Sequence, residues 1–222
     1  MRKQQIRALA RTLFLLVSFS AFISAGAGAT TILVTDRTSF ALATGATPVG
    51  SIPQTPPGVP FSVGILSFLN VLGSSVNASV NWSSLISESF DLAINGVENF
   101  DVTSSVPLYS FGFDFHEPSI PFGFPDRCDA PCFDSTFQIT LWNGLIPVGS
   151  QMFSMPDDVL TFVGVWSSDL FDRIEIRDIT GTIDDEFFGN FLTGTRPLPE
   201  PTTLTLLGVG LVGLALRRRR AA

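Results

Sequence analysis

The chain has 222 residues, enough for one domain plus terminal targeting segments. Its thirteen Lys and Arg face 20 Asp and Glu for a net charge of -7, and the cations crowd the two ends. Between Thr30 and Leu198 five arginines face 19 acids, a net of -14 that repels phosphate backbones and argues against nucleic-acid binding.

The first 29 residues read as a secretory signal peptide. Arg2, Lys3, Arg7 and Arg11 form a basic start, Leu13 to Ile23 is an apolar run, and Ala27-Gly28-Ala29 fits a small-x-small cleavage site. Eleven apolar residues are too few to span a hydrocarbon core, which takes about 20. Mature protein is expected to begin near Thr30.

Residues 30–196 show no sustained helical period. They are rich in Phe, Val, Ile and Thr, punctuated by Gly and Pro, and contain no Lys, which is the pattern of an all-β sandwich or barrel. Ile32 to Thr35 reads as a short strand. Asp36 to Ala43 reads as a helix capped by Asp36 or Thr38. Val49 to Pro60 is proline-rich and expected to be an extended surface loop. Ile65 to Asn70 and Phe90 to Ile94 are weaker strands, the second followed by an Asn95-Gly96 turn signal. The sequons at Asn77 and Asn81 read as polar loop residues. The clearest strand is Leu108 to Phe115, with Phe111, Phe113 and Phe115 on one face and Gly112 and Asp114 on the other. Phe137 to Trp142, the turn signal Asn143-Gly144, and Val148 to Phe153 form an expected hairpin. Leu160 to Val165 and Phe171 to Ile176 are expected to make another pair, and Phe187 to Phe191 to close the sheet.

Few residues suggest chemistry. The lone histidine, His116, sits beside Glu117 at a strand end, and a surface histidine paired with an acid explains it better than a triad does. Cys128 and Cys132 are expected to form a disulfide after export, because two thiols and one histidine do not complete a four-ligand zinc site. Two acidic groups are candidate calcium sites: Asp184, Asp185 and Glu186, and Glu117, Asp126, Asp129 and Asp134. Calcium takes six to eight oxygen ligands, and neither group has the EF-hand loop pattern. No other cofactor is expected. A carboxylate pair hydrolysing glycosides is the remaining catalytic class, but 19 acids select no pair.

The last segment begins Pro199-Glu200-Pro201. An uncharged run from Thr202 to Leu216 follows, and then Arg217, Arg218, Arg219 and Arg220. As a helix the run spans about 23 Å, short for a lasting anchor, and the arginines act as a cytoplasmic stop. Gly208 to Gly213 fits GxGxxG but lies in an apolar run, where small residues serve close helix packing rather than nucleotide binding.

These three features in order resemble the PEP-CTERM sorting domain. The resemblance implies recognition by an exosortase, transient residence in the inner membrane of a Gram-negative bacterium, and release to the cell surface or extracellular matrix. The segments DRTSF, FGFDF, FVGVWSSDLFDRIEI and IDDEFFGNF also resemble ectodomains found ahead of such tails. That likeness implies a jelly-roll-like antiparallel β-sandwich, similar in outline to carbohydrate-binding modules. This chain departs from it in an insertion from Pro118 onward that carries both cysteines.

The expected organisation is therefore a signal peptide at 1–29, an acidic β-sandwich at 30–196 and a transmembrane sorting tail at 197–222. The leading expectation is a non-enzymatic exported protein. The alternative is an exopolysaccharide-binding module stacking sugars on Trp82, Tyr109, Trp142 or Trp166, and a secreted hydrolase ranks third.

Overall fold

The computed structural model describes residues 29–79, 85–86, 90–118, 135–180 and 186–197. Among the described residues, all regular elements fall in the unit spanning Thr31–Ala222. In chain order they are β1 (Thr31–Val34), α1 (Arg37–Thr44), β2 (Thr47–Pro48), β3 (Phe61–Val63), β4 (Leu66–Asn70), β5 (Ser74–Asn77) and β6 (Leu92–Gly96). They continue with β7 (Phe100–His116), β8 (Phe137–Asn143), β9 (Ile146–Phe153), β10 (Thr161–Asp178) and β11 (Phe187–Gly194).

Every named strand pairing is antiparallel, and the whole forms an antiparallel β-sandwich made from one continuous sheet folded over itself. The fold lies in the two longest strands. The first half of β10 pairs with β1 and with the second half of β7, while its second half pairs with β8 and with the first half of β7. Register shifts between Trp166 and Arg173 mark the bend where both strands change layers. One layer thus contains β5, β6, β11, β1 and the Leu108–His116 half of β7. The other contains β3, β4, β8, β9 and the Phe100–Thr103 half.

Phenylalanines join the layers. Phe68 of β4 meets Phe191 of β11 at 4.7 Å between ring centroids, Phe100 meets Phe188 at 4.9 Å, and Phe115 meets Phe137 at 5.5 Å. Among the described residues eleven phenylalanines are less than 2% exposed, so Phe supplies much of the core. Each buried ring contributes about 1.5–3 kcal/mol relative to exposure.

The first layer is covered on its outer face too. Helix α1 lays Phe40 against Phe162, Trp166 and Leu192. Asp36 caps it as expected, accepting the Ser39 N–H at 2.6 Å, and Gly45 ends it at φ 65°. Arg37 fixes its start by pairing with Asp114 at 2.5 Å and donating to the Asn190 carbonyl at 3.0 Å.

Two expectations are corrected. Leu160 to Val165 and Phe171 to Ile176 do not pair with each other. They are the two halves of β10, each paired with β7, because the chain bends between layers instead of reversing. Asn95-Gly96 makes no hairpin: both residues lie in β6, which pairs with β5 and β11 and not with β7. The Val49 to Pro60 segment is a largely exposed loop, as expected, and it is pinned to the sheet at two points. Thr55 bridges Ala78 by backbone hydrogen bonds of 2.6 and 3.2 Å, and Ile52 is buried.

Candidate functional site

The outer face of the second layer is the most differentiated polar surface among the described residues. On β4, β8, the Phe100–Thr103 half of β7 and the second half of β10, one side lies in the core and the other is half-exposed. The outward residues are Ser67 and Leu69 on β4, Asp101 and Thr103 on β7, Arg173, Glu175 and Arg177 on β10, and Gln138, Thr140 and Trp142 on β8. Strand register sets them in rows. Ser67, Thr103, Arg173 and Trp142 lie across one row, and Leu69, Asp101, Glu175 and Thr140 across the next.

Ion pairs hold the charges in place. Arg177 reaches Asp101 at 2.5 Å and Glu175 at 3.9 Å, and Arg173 reaches Glu175 at 3.1 Å. Arg177 also donates to the carbonyls of Phe100 and Ile176 at 2.8 and 2.9 Å. The Arg173 guanidinium lies over the Trp142 ring, 4.7 Å from its centroid. The Trp142 indole nitrogen and Arg173 Nε are both buried and find no acceptor among the described residues. An aromatic ring, a guanidinium plane and ion-paired charges therefore meet at one place on the sheet.

The other aromatics named from sequence lie elsewhere. Trp166 is 6% exposed, packs under α1 and donates its indole N–H to the Arg196 carbonyl, so it is no platform. Tyr109 packs against the same cluster. Trp82 lies outside the described residues. Sequence reading could not separate these aromatics, because an isolated ring reports neither which sheet face it occupies nor what covers it.

The acidic candidates divide the same way. Glu186 is fully buried, and Glu117 is 3% exposed with a carboxylate oxygen accepting the Ser135 N–H at 2.6 Å. His116, the last residue of β7, is half-buried. Asp184, Asp185, Asp126, Asp129, Asp134, Cys128 and Cys132 lie outside the described residues. No group of three or more His, Cys, Asp or Glu able to hold a metal occurs among the described residues. Pro199, Glu200, Pro201, the apolar run and Arg217 to Arg220 also lie outside them. Among the described residues no helix is long and apolar enough to cross a membrane.

No curated protein matches the chain. Among solved structures, a mutant of a family 29 carbohydrate-binding module overlaps at a TM-score of 0.42 with 14% identity, covering 68% of this chain and 92% of that one. Another mutant of that module, complexed with mannohexaose, overlaps at 0.39 with 14% identity, covering 78% and 99%. The CBM22-1–GH10 modules of an endo-1,4-beta-D-xylanase from Clostridium thermocellum, complexed with xylohexaose, overlap at 0.37 with 6% identity, covering 67% and 30%. The family comparison falls on the C-terminal segment, where residues 197–220 match the PEP-CTERM protein-sorting motif, so the chain is a PEP-CTERM domain-containing protein.

Proposed function

We propose that this is a non-enzymatic exported protein whose C-terminal tail is held in the inner membrane and processed by an exosortase, leaving residues 30–196 as a mature jelly-roll-like ectodomain at the cell surface or in the matrix. The observation that carries this reading is the PEP-CTERM motif at residues 197–220. Its parts suit a transient substrate. Two prolines keep Pro199 to Pro201 extended for a processing enzyme, the apolar run is short for a lasting anchor, and four arginines stop transfer. Residues 1–29 supply the export signal in the same reading. Mass spectrometry of the mature protein tests it. A C-terminus upstream of Thr202 is expected, and an exported species still ending in Arg217 to Ala222 in a strain with intact sorting overturns it.

A second reading concerns the ectodomain's ligand and is favoured by the Trp142–Arg173 stack. A pyranose ring offers a C–H face to an aromatic or guanidinium plane and hydroxyls to fixed polar groups. The rows of Arg, Asp, Glu, Thr and Gln on β7, β8 and β10 supply such groups in one plane. This makes the outer face of the second layer an exopolysaccharide-binding surface. Affinity electrophoresis in the producing strain's own polysaccharide checks it. Trp142→Ala is expected to weaken retention about tenfold, equivalent to ~1.4 kcal/mol. Unchanged retention with both Trp142→Ala and Arg173→Ala removes the reading.

A further inference from the structure

The sandwich has two unlike ends. At one end, the β8–β9 turn sits against the β10 bend, because the Gly144 N–H donates to the Asp172 carboxylate at 3.0 Å. The β7 bend at Ser104 to Pro107 lies beside it, since Phe171 pairs with Leu108 and Arg173 with Thr103. Apolar side chains project from these bends: Leu145 is 89% exposed, Ile146 71% and Val106 41%. The ordered sandwich also begins and ends here. Thr31 lies opposite Ser167, and Trp166, one residue earlier, holds the Arg196 carbonyl at 3.1 Å.

The opposite end bears Asp157 and Asp158, with Glu117 and Asp178 buried within it. Exposed apolar residues occur there as well, at Leu72, Val159, Leu160 and Ile179, and each end carries an exposed acid, Asp158 at this one and Asp169 at the other, so side-chain charge does not choose between them.

We propose that the Leu145–Ile146 end of the sandwich rests on the lipid bilayer while the tail is inserted, an inference that depends on the tail reading above. The tether decides the end. Six residues lead from the fixed Arg196 to Thr202, where the apolar run starts, and fully extended they reach about 20 Å. The end carrying Arg196 therefore stays close to the membrane, and its apolar side chains enter the headgroup boundary, where buried apolar area favours binding. The end carrying Leu72, Asp158 and Ile179 points away from the bilayer.

Amide hydrogen exchange tests this on the full chain, reconstituted into phosphatidylethanolamine–phosphatidylglycerol vesicles and compared with the same chain in detergent. Exchange at residues 143–147 and 104–107 is expected to slow on the order of tenfold in vesicles, and exchange at 155–160 and 71–73 to stay the same. A double variant, Leu145→Glu with Ile146→Glu, changes only exposed side chains and is expected to abolish the slowing while the tail remains protected. Equal exchange at 143–147 in both samples, or slowing at 155–160 instead, overturns the proposal. Protection of residues 202–216 in that same sample means the tail reading survives alone. Free exchange at 202–216 in vesicles removes both.

Discussion

Trp166 and Arg196 are joined by one hydrogen bond, indole N–H to backbone carbonyl at 3.1 Å, between the middle of the longest strand and the last residues before the sorting motif. The Arg196 side chain also lies over the helix end, and a Cβ built on Gly45 would fall 2.6 Å from its Nε. The sandwich is thus clasped up to the edge of the motif.

Trp166→Phe keeps most of the buried ring and removes the donor. It is expected to cost ~0.5–1.5 kcal/mol in urea unfolding and to speed amide exchange at residues 195–197. Unchanged exchange there means the clasp does not restrain the chain.

Gly112 and Gly164 are paired across β7 and β10, and the Phe40 ring rests on both. A Cβ at Gly164 would lie 2.7 Å from Phe40 ring atoms, and one at Gly112 would lie 2.6 Å from Phe162 Cζ. Neither ring has open space to move into, since Phe40 and Phe162 contact each other at 5.2 Å. Gly164→Ala is expected to destabilise by ~1–3 kcal/mol through overpacking. A matched unfolding midpoint refutes this close packing.

Asp114 accepts from Arg37 at 2.5 Å through one oxygen and from the Asn190 side chain at 2.9 Å through the other. Asp114→Ala leaves both donors without their acceptor and is expected to cost ~1.5–3 kcal/mol. Loss of α1 packing should appear as faster exchange at Phe40 and Ala41. Asp114→Asn, which keeps the shape, should cost less.

The Asp36 carboxyl titrates below its ordinary value of 3.8, first because the Ser39 side chain hydrogen-bonds to it and second because the Ser39 backbone N–H does. A depressed folded value means the cap's contribution is fully present above the unfolded value and is lost as pH falls through the folded one. The stability gap between wild type and Asp36→Ala should therefore hold from neutral pH to about pH 5 and narrow below about pH 4. A gap independent of pH contradicts an ionised cap.

Local signals were legible wherever one face of an element meets the core. Alternation in Phe137 to Trp142 and Leu108 to Phe115 reported true strands, and Asn143-Gly144 reported the turn, with Gly144 at φ 58°. Asp36 was readable because capping chemistry is local. The β10 bend was not, since Ser167, Ser168 and Asp169 look like a turn whether the chain reverses or changes layers. The candidate site was half legible. Trp142 was named, but Arg173, Asp101, Glu175 and Arg177 were not, because they come from strands about 70 residues apart and only register unites them.

The sequence by itself determined the all-β class, the capped helix and the sorting motif, because each rests on neighbouring residues whose spacing expresses its own physics. The tertiary structure alone decided which aromatics are core and which face solvent. It also decided that β7 and β10 serve both layers, and that the sandwich begins and ends at one end. Those outcomes depend on long-range pairing of antiparallel strands, and a chain's local alternation fixes which side of a strand is buried without fixing which strand lies beside it.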